Sequence, residues 1–414
     1  MPTSIYRTLL SVIFVSLLFT VNYSTAAEHN HQAMASKVLP TENCKKIEVT
    51  CAKTVTSVFA PNGDLWRLWA QNTSMYFQIS TDNGLNFADV QRVVIEKEKI
   101  SARNENRPKI AFDKYQGVYL SWATPKEKKY TADVRFSYSS DYGKTFTKPI
   151  TVNDDNLMTG HSFNEMLVTK EGEISIVWLD SRLAYQLRLQ GKKTNGSALY
   201  IGKANYRKNE ISFSNEQLAN NTCVCCRISM DHNKSGDLAI LWRHIYGDNI
   251  REFALLTLAQ GEHMQKTPYQ ISYDHWKING CPHQGGALSI NENNRYHMVW
   301  FNQGDVGKGI FYASSIDQGK SLIKPISVGV QSAQAAHPHI NTNGDNIDIV
   351  WTQFTGTQHQ LWHQHSKNNG KTFTDAELLA TAYEGSDRPF IIKKSNISYV
   401  SWHRPKQSHL VQAL

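Results

Sequence analysis

The chain has 414 residues, of which 40% are hydrophobic and 19% charged, and 44 basic against 36 acidic residues give a net charge of +8. That apolar share excludes a wholly disordered chain, and 24 Gly with 12 Pro are too few for a collagen-like or linker-dominated one. The basic excess favours anionic partners only weakly. Because no long run of Lys or Arg occurs, a nucleic-acid-binding surface is not indicated.

The first 27 residues have the pattern of a secretory signal peptide. Arg7 is followed by an apolar run at residues 8–21 and by small residues at 24–27. The run is shorter than the roughly 20 apolar residues of a membrane-spanning helix, and no later stretch approaches that length. We therefore expect a secreted or periplasmic protein with no membrane span after cleavage, in a compartment where disulfides persist. Residues 28–43 are expected to form a flexible N-terminal segment and residues 44–414 a single domain.

A short β-rich string that ends in Trp recurs along the rest of the chain, for example LWRLW, VYLSW and IDIVW. Another strand pattern with a polar turn precedes most copies, so each repeat predicts a β-hairpin. The spacings are 53, 56, 64, 58, 51 and 51 residues, and the repeated tryptophans, which we expect in the core, are Trp69, Trp122, Trp178, Trp242, Trp300, Trp351 and Trp402.

A second motif follows four of these repeats, with the pattern Ser-x-Asp-x-Gly-x-x-Phe. It occurs at residues 80–87, 139–146, 315–322 and 366–373, with Leu replacing Phe in the third copy and Asn replacing Asp in the fourth. The pattern predicts a tight turn in which the Asp side chain accepts backbone N–H groups, Gly adopts a positive φ and the aromatic ring packs beneath.

With both motifs in place, the sequence resembles the Asp-box (BNR) repeat proteins, whose best-known members are sialidases. The resemblance extends from about Val55 to the C-terminus. It implies an all-β fold, a β-propeller of four-stranded blades around a channel. In that fold the Asp boxes lie in outer hairpins, away from the usual ligand site.

The spacing favours seven blades, with six as the alternative because most sialidases of this type have six. Six repeats are complete. The seventh, at residues 387–414, has room for about three strands of roughly 5–6 residues. We expect residues 45–50 to supply the missing strand and to close the ring.

In a propeller, the loops that enter the innermost strands lie on one face beside the channel. Six of these loops carry Arg, His or Cys at the same height, which predicts a functional site on that face. The residues are Arg107, His161, Cys223, Cys225, Cys226, Arg227, Cys281, His283, His337, His339 and Arg388.

The first hypothesis for this face is an acidic-glycan site. Arg107, Arg227 and Arg388 would present planar forks of donors that match a carboxylate, with His161 and His337 beside them. The resemblance points to the same ligand class, because sialidases pair an arginine triad with a Tyr nucleophile, an activating Glu and an Asp acid/base. The alternative is that each Arg packs across a blade interface.

Whether such a site is an exo-sialidase-type glycosidase stays open at this point. Asp387 and Glu165 are the acid/base candidates by position, and Tyr383 is a nucleophile candidate by residue type alone. The Arg-Ile-Pro string that the family has early in the chain is absent, and Arg107-Pro108 in the second repeat is a weak substitute.

The second hypothesis is a metal or thiol site formed by two neighbouring loops. Cys225, Cys226, Cys281 and His283 offer ligands that suit Cu(I) or Zn²⁺, the only cofactors that the residues indicate. The alternative is disulfide bonding, since six Cys is an even number. A local Cys44–Cys51 bridge would then leave two bridges among the remaining cysteines, Cys223, Cys225, Cys226 and Cys281.

In the third hypothesis the protein binds without catalysing a reaction. A ring of His and Arg at the channel mouth would suit an anionic glycan or an acidic loop of another protein. We expect a monomer.

Overall fold

The structure is a computed structural model that describes Met1 and residues 44–95, 97–103, 105–205, 211–260, 267–330 and 333–414. The predicted signal peptide, apart from Met1, and the segment 28–43 lie outside the described residues. Pro40–Leu414 cluster into one compact unit. No helix in the described ranges is long and apolar enough to cross a membrane.

The described part of this unit is nearly all β. Its strands form seven antiparallel meanders, which we number 1 to 7. Meander 1 consists of β1 (Val55–Phe59), β2 (Leu65–Gln71), β3 (Ser74–Ser80) and β4 (Gln91–Arg92). Meander 2 consists of β5 (Lys109–Phe112), β6 (Val118–Pro125), β7 (Ala132–Ser139) and β8 (Ile150–Thr151).

Meanders 3 and 4 are joined into one eight-stranded sheet by the pairing of Thr222 with His244. Meander 3 consists of β9 (His161–Val168), β10 (Glu173–Asp180), β11 (Ser197–Asn205) and β12 (Ser214–Thr222), with helix α1 (Arg182–Leu189) between β10 and β11. Meander 4 consists of β13 (Ser229–His232), β14 (Leu238–Tyr246), β15 (Ile250–Leu258) and β16 (Tyr269–Gln270).

The last three meanders follow the same order. Meander 5 consists of β17 (Ala287–Ile290), β18 (Tyr296–Gly304), β19 (Gly307–Ser315) and β20 (Ile326–Val328). Meander 6 consists of β21 (Gln334–Asn343), β22 (Asn346–Phe354), β23 (His359–Ser366) and β24 (Glu377–Ala382). Meander 7 consists of β25 (Phe390–Lys394), β26 (Ile397–Arg404) and β27 (Ser408–Ala413).

The repeated tryptophans are core residues, as predicted. Each lies on the second strand of its meander and is at most 1% exposed. The strand register is the same in all seven meanders: the residue before the Trp pairs with one residue of the first strand. The first-strand residues at this shared level are Thr56, Lys109, Glu165, Ser229, Ala287, His339 and Phe390.

The first strands contact one another in sequence. Each of β1, β5, β9, β13, β17 and β21 contacts the first strand of the next meander, and β25 contacts β1. The apolar core lies between neighbouring meanders. Trp66 of meander 1, for example, packs in one cluster with Ile110 and Leu120 of meander 2.

The four Ser-x-Asp turns have the predicted chemistry. In the second copy, Ser139 Oγ donates to Asp141 Oδ1 (2.7 Å), and the N–H groups of Gly143 and Thr145 donate to Ser139 Oγ (2.8 Å) and Asp141 Oδ1 (2.9 Å). The other copies repeat these bonds, with Asn368 accepting in the fourth. Gly143 has φ +84°, and a Cβ there would lie 2.7 Å from Trp66, so the turn packs against the preceding meander.

The prediction that residues 45–50 form the missing strand of meander 7 is wrong. Val49–Cys51 is a 3-10 helix, residues 44–46 form a turn and a bend, and residues 47–48 have no regular secondary structure. The physical reason is the Cys44–Cys51 disulfide, which confirms the predicted local bridge. It holds Cα atoms seven residues apart at 5.7 Å, whereas an extended strand would separate them by roughly 23 Å.

Candidate functional site

A cavity of about 300 Å³ lies among the seven first strands and the loops that lead into them. All seven meanders contribute to its wall. Its charged lining residues are Arg107, Lys109, Glu165, Arg227, Asp231 and Arg388, and its hydroxyl and amide lining residues are Thr56, Ser57, Ser229, Ser289 and Asn341. The structure therefore brings the three predicted arginines to one place.

The shared register explains why these arginines meet. Arg107, Arg227 and Arg388 each lie two residues before a first-strand residue of the shared level. They are 1%, 3% and 6% exposed. Their guanidinium groups are therefore part of the interior and are shielded from bulk water.

Arg107 forms a buried ion pair that joins three meanders. One guanidinium nitrogen donates to Asp387 Oδ2 (2.7 Å) and to the carbonyl of Val55 (3.1 Å), and the other donates to Asp387 Oδ1. The backbone N–H of Arg388 also donates to Asp387 Oδ1 (2.8 Å). Both oxygens of the predicted acid/base Asp387 are thus engaged within the protein.

Arg227 is paired with Glu105, which sequence reasoning did not single out. Glu105 accepts hydrogen bonds from the Arg227 backbone N–H and guanidinium, both at 2.9 Å, and its Oε1 lies 3.1 Å from His337 Nδ1. Burial would raise the pKa of Glu105, but the Arg227 charge and the His337 hydrogen bond hold it well below its usual range. His337 therefore contacts this ion pair, in a cluster that ties meanders 2, 4 and 6.

Lys109 and Asp231 carry perturbed pKa values in the same cavity. Lys109 Nζ lies 2.5 Å from Glu165 Oε2, and burial lowers the Lys109 pKa to about 8, although Glu165 opposes the shift. Burial raises the pKa of Asp231 to about 6, although its oxygens accept backbone N–H groups of His232 and Ile290. Neither Lys109 nor Asp231 could be identified from the sequence, because a strand pattern does not show which of its residues line the cavity.

The remaining candidates for the glycan site differ in their position relative to the cavity. Glu165 lines the cavity and its side chain is 24% exposed. Tyr383 is 68% exposed, follows β24 and is not among the cavity-lining residues. The catalytic roles of Asp387, Glu165 and Tyr383 stay predictions.

His161 lies at the start of β9 but does not line the cavity. Its Nδ1 is 2.8 Å from the carbonyl of Ala132, and its Nε2 is 2.9 Å from Asp155 Oδ2. Burial would lower its pKa, but the hydrogen bonds that its ring donates to Asp133 and Asp155 and the charge of Asp180 raise it to about 9. His161 is an imidazolium fixed in an acidic cluster.

The thiol cluster, which we define as Cys223, Cys225, Cys226 and Cys281, lies beside Arg227. Cys223 Sγ is 3.8 Å from Cys225 Sγ and 3.4 Å from Cys226 Sγ, and all three residues are buried. Cys281 is exposed and hydrogen-bonds to Cys225. All four are free thiols, so the two predicted bridges among them are not formed in this structure.

The structure changes the membership of the predicted metal set. Cys223 joins Cys225 and Cys226 in a group whose sulfurs all lie within 4.8 Å of one another. His283 is exposed, and its ring lies 6.5 Å from that of Phe163, which packs on the three buried cysteines. The sequence could not show that Cys223 is a better candidate ligand than His283, because it does not predict the conformations of the loops that lead into β13 and β17.

Comparisons with known proteins bear on the fold. No protein-family model matches the chain, and a search of curated proteins gives no match. The BP39L lectin from Burkholderia pseudomallei has a TM-score of 0.57 at 8% identity, over 88% of this chain and 100% of the lectin. A polysaccharide lyase of family PL25, an ulvan lyase bound to -[GlcA(1-4)Rha3S]-, has a TM-score of 0.53 at 8% identity, over 89% and 94%. The Hadza microbial sialidase Hz136 gives 0.49 at 9% identity, over 83% and 74%. At these identities the likeness concerns the fold.

Proposed function

We propose that the seven meanders are the blades of a closed Asp-box propeller whose central cavity binds one acidic sugar unit of a glycan. The observation that carries the proposal is the cavity itself. Its wall combines four cationic side chains with hydroxyl and amide groups, and it draws on the first strand or entrance loop of every meander.

Three observations support seven blades in a closed ring. The first strands contact one another in order, and β25 contacts β1. The same register recurs seven times relative to the repeated Trp, and the four Ser-x-Asp turns have one geometry. The eight-stranded sheet counts as two blades, because a single residue pair joins its halves.

The lining chemistry supports an acidic sugar. A volume of about 300 Å³ is at the lower end for ligand pockets, which suits a single ring better than an oligosaccharide chain. Ser229, Ser289 and Asn341 can hydrogen-bond sugar hydroxyls, while Lys109 and Arg388 can bind a carboxylate. The ulvan lyase of similar fold is bound to a glucuronate-containing ligand, which is the same chemical class.

The arginine clamp of the sequence analysis is revised in this proposal. Arg107 and Arg227 are engaged by Asp387 and Glu105, so their main effect is to hold the entrance loops in place. Lys109 is also paired, with Glu165, but unlike Asp387 and Glu105 this partner lines the cavity, where a ligand carboxylate can replace it. Lys109 and the cavity-lining Arg388 are therefore the proposed ligand-binding cations, and Glu165 is the acid/base candidate that lines the cavity. Because the sequence predicts a signal peptide, we expect the site to bind glycans outside the cytoplasm. We expect the protein to be a monomer.

Calorimetric titration with N-acetylneuraminic acid, glucuronic acid and glucose tests the proposal. We expect binding of at least one acid and none of glucose. Because a charged hydrogen bond contributes about 1.5–3 kcal/mol, Lys109→Ala and Arg388→Ala should each weaken binding about tenfold or more. Lys114→Ala, at an exposed ion pair outside the cavity lining, is the matched control. Equal binding of glucose, or no effect of both cavity variants, would overturn the proposal.

A fluorogenic sialoside and a fluorogenic glucuronide decide between recognition and hydrolysis. Cleavage that is lost in Glu165→Gln would extend the proposal to a glycosidase. Intact substrates in the presence of measured binding would leave a lectin-like protein.

A further inference from the structure

The thiol cluster is a second chemical site that the proposed glycan function does not use. Two other groups in the described chain bring metal-type ligands together, Asp348–His363–His365 and Asp155–His161–Asp180. In those groups the imidazoles contact the carboxylates directly at 2.9–3.0 Å, so the members satisfy one another as ion pairs. Thiols are weak hydrogen-bonding groups and gain little from such mutual contact.

The spacing of the sulfurs matches the edges of a coordination polyhedron. Sulfurs in a disulfide lie about 2.05 Å apart, whereas Cys223 Sγ lies 3.4 and 3.8 Å from its two neighbours. Four sulfurs at about 2.3 Å from a tetrahedral metal are about 3.8 Å from one another. Two of the three separations among the buried sulfurs are therefore close to those between metal ligands, and all three sulfurs lie within 4.8 Å of one another.

The loop that carries these sulfurs is fixed by bonds that leave the thiols available. At one end the Cys223 N–H donates to the carbonyl of Arg243 (2.9 Å), and at the other end the Arg227 N–H donates to Glu105 (2.9 Å). Phe163 packs against the three buried cysteines. A ligand set held in this way needs little rearrangement to bind a cation.

The positive charges of buried arginines near the thiol cluster favour a negatively charged centre there. Arg243 is 1% exposed, and its guanidinium donates to the carbonyls of Gln284, Arg251 and Phe301, which are neutral acceptors. The carbonyl of Arg243 accepts the Cys223 N–H, and Arg251, also buried, lies beside Arg243 through its carbonyl, so both guanidiniums belong to residues next to the cluster. Three or four thiolates around a monovalent or divalent cation carry net negative charge, which would compensate these buried guanidiniums.

We propose that the thiol cluster binds one thiophilic d¹⁰ cation, Cu(I) or Zn²⁺, through Cys223, Cys225 and Cys226, with Cys281 closing the site. Cys281 comes from the neighbouring entrance loop and is exposed, so it stands where a cation would enter. Binding displaces the thiol protons to solvent and needs no change of oxidation state. Three sulfurs suit trigonal Cu(I), and the fourth completes a tetrahedral Zn²⁺ site.

The test uses the full chain, reduced with a phosphine and kept free of oxygen. Zn²⁺ and Cu(I) are titrated separately against chelators of known affinity, and bound metal is counted by elemental analysis. We expect one equivalent of at least one of the two ions. Cys226→Ser should lose that equivalent, and Cys281→Ser should weaken Zn²⁺ binding more than Cu(I) binding. His363→Gln, in another candidate ligand group, is the matched control and should retain it.

Alkylation of the wild-type protein keeps the proposal testable if a Cys variant fails to fold. Bound metal should protect the exposed Cys281 from alkylation, and a chelator should restore its reactivity. No retained metal in the folded, reduced protein, or disulfides among the four cysteines in unreduced protein, would overturn the proposal. The metal site is independent of the glycan site, so Lys109→Ala should leave metal binding unchanged.

Discussion

The outer turns and the inner entrance loops of this protein are stabilised by different kinds of contact. In the Ser-x-Asp turns, each polar side chain bonds to groups two to four residues away, as Asp141 does with Ser139 and Thr145. In the entrance loops the partners are far apart in sequence: 122 residues separate Glu105 from Arg227, and 280 separate Arg107 from Asp387. The turns can form as soon as their own residues are present, whereas the loops acquire their partners only when the meanders assemble.

Burial separates the two regions further. The carboxylates of Asp82 and Asp141 lie at the surface, where hydrogen bonds from nearby backbone and side-chain groups lower their pKa values to about 2. Asp387 and Glu105 are 2% and 3% exposed. A buried charge without its partner is costly, so the inner contacts are the more sensitive to substitution.

The largest effect is expected at the inner ion pair. Arg107→Ala would leave Asp387 buried and unpaired, which should lower the free energy of unfolding by about 3–5 kcal/mol in urea denaturation. Replacing both partners, as in Arg107→Met with Asp387→Leu, should recover much of the loss because no charge remains buried. Lys114→Ala breaks an exposed pair and serves as control, with no measurable change expected. A loss below about 1 kcal/mol for Arg107→Ala would contradict the structural role.

A smaller effect is expected at the outer turns. The reference variant is Gly344→Ala in the hairpin between β21 and β22, outside the Ser-x-Asp turns, where a Cβ at φ +59° meets no atom within 4 Å and should cost only the backbone strain of about 1–2 kcal/mol. Gly143→Ala adds a clash with Trp66 of the preceding meander, which should cost about 1–3 kcal/mol more. Equal thermal stability of the two variants would show that the turn contributes no contact between meanders.

The smallest effect concerns ligand binding and pH. The pKa of Asp231 is about 6 and that of Lys109 about 8, so affinity for an acidic sugar should rise as the pH falls below 6, where Asp231 becomes neutral, and should fall as the pH rises above 8, where Lys109 becomes neutral. Glu165 and Arg388 line the same cavity. We expect a severalfold change in calorimetric affinity on each side. Asp231→Asn should abolish the change in affinity near pH 6 and leave the change near pH 8. If the affinity of that variant still changes near pH 6, Asp231 is not the group responsible.

Much of the fold follows from short-range sequence patterns. The apolar strings place Trp122 and its counterparts in the core, since alternation along a strand fixes which side chains are buried. The Ser-x-Asp-x-Gly pattern determines its own turn because all its partners lie within a few residues. Residues 45–50 were misassigned because the Cys44–Cys51 bridge overrides local strand propensity.

The candidate site could be predicted only in outline. Repeat spacing placed Arg107, Arg227 and Arg388 at one level, and the structure brings them to one cavity. Their partners were not predictable, because pairing with Asp387 or Glu105 depends on which strands become neighbours in the folded protein. The same limit applied to the cysteines, whose order along the chain does not say which sulfurs converge.

By itself, then, the sequence determined the repeat, the buried tryptophans, the outer turns and the residue types at the entrances. The tertiary structure decided that Arg107 and Arg227 are held in ion pairs, that Lys109 and Asp231 share their cavity, and that Cys223 belongs to the thiol cluster. The physical reason is the distance along the chain over which each kind of interaction acts. Hydrophobic periodicity and turn hydrogen bonds act within a few residues, whereas buried charges and converging thiols depend on side chains that only the assembled sheets bring together.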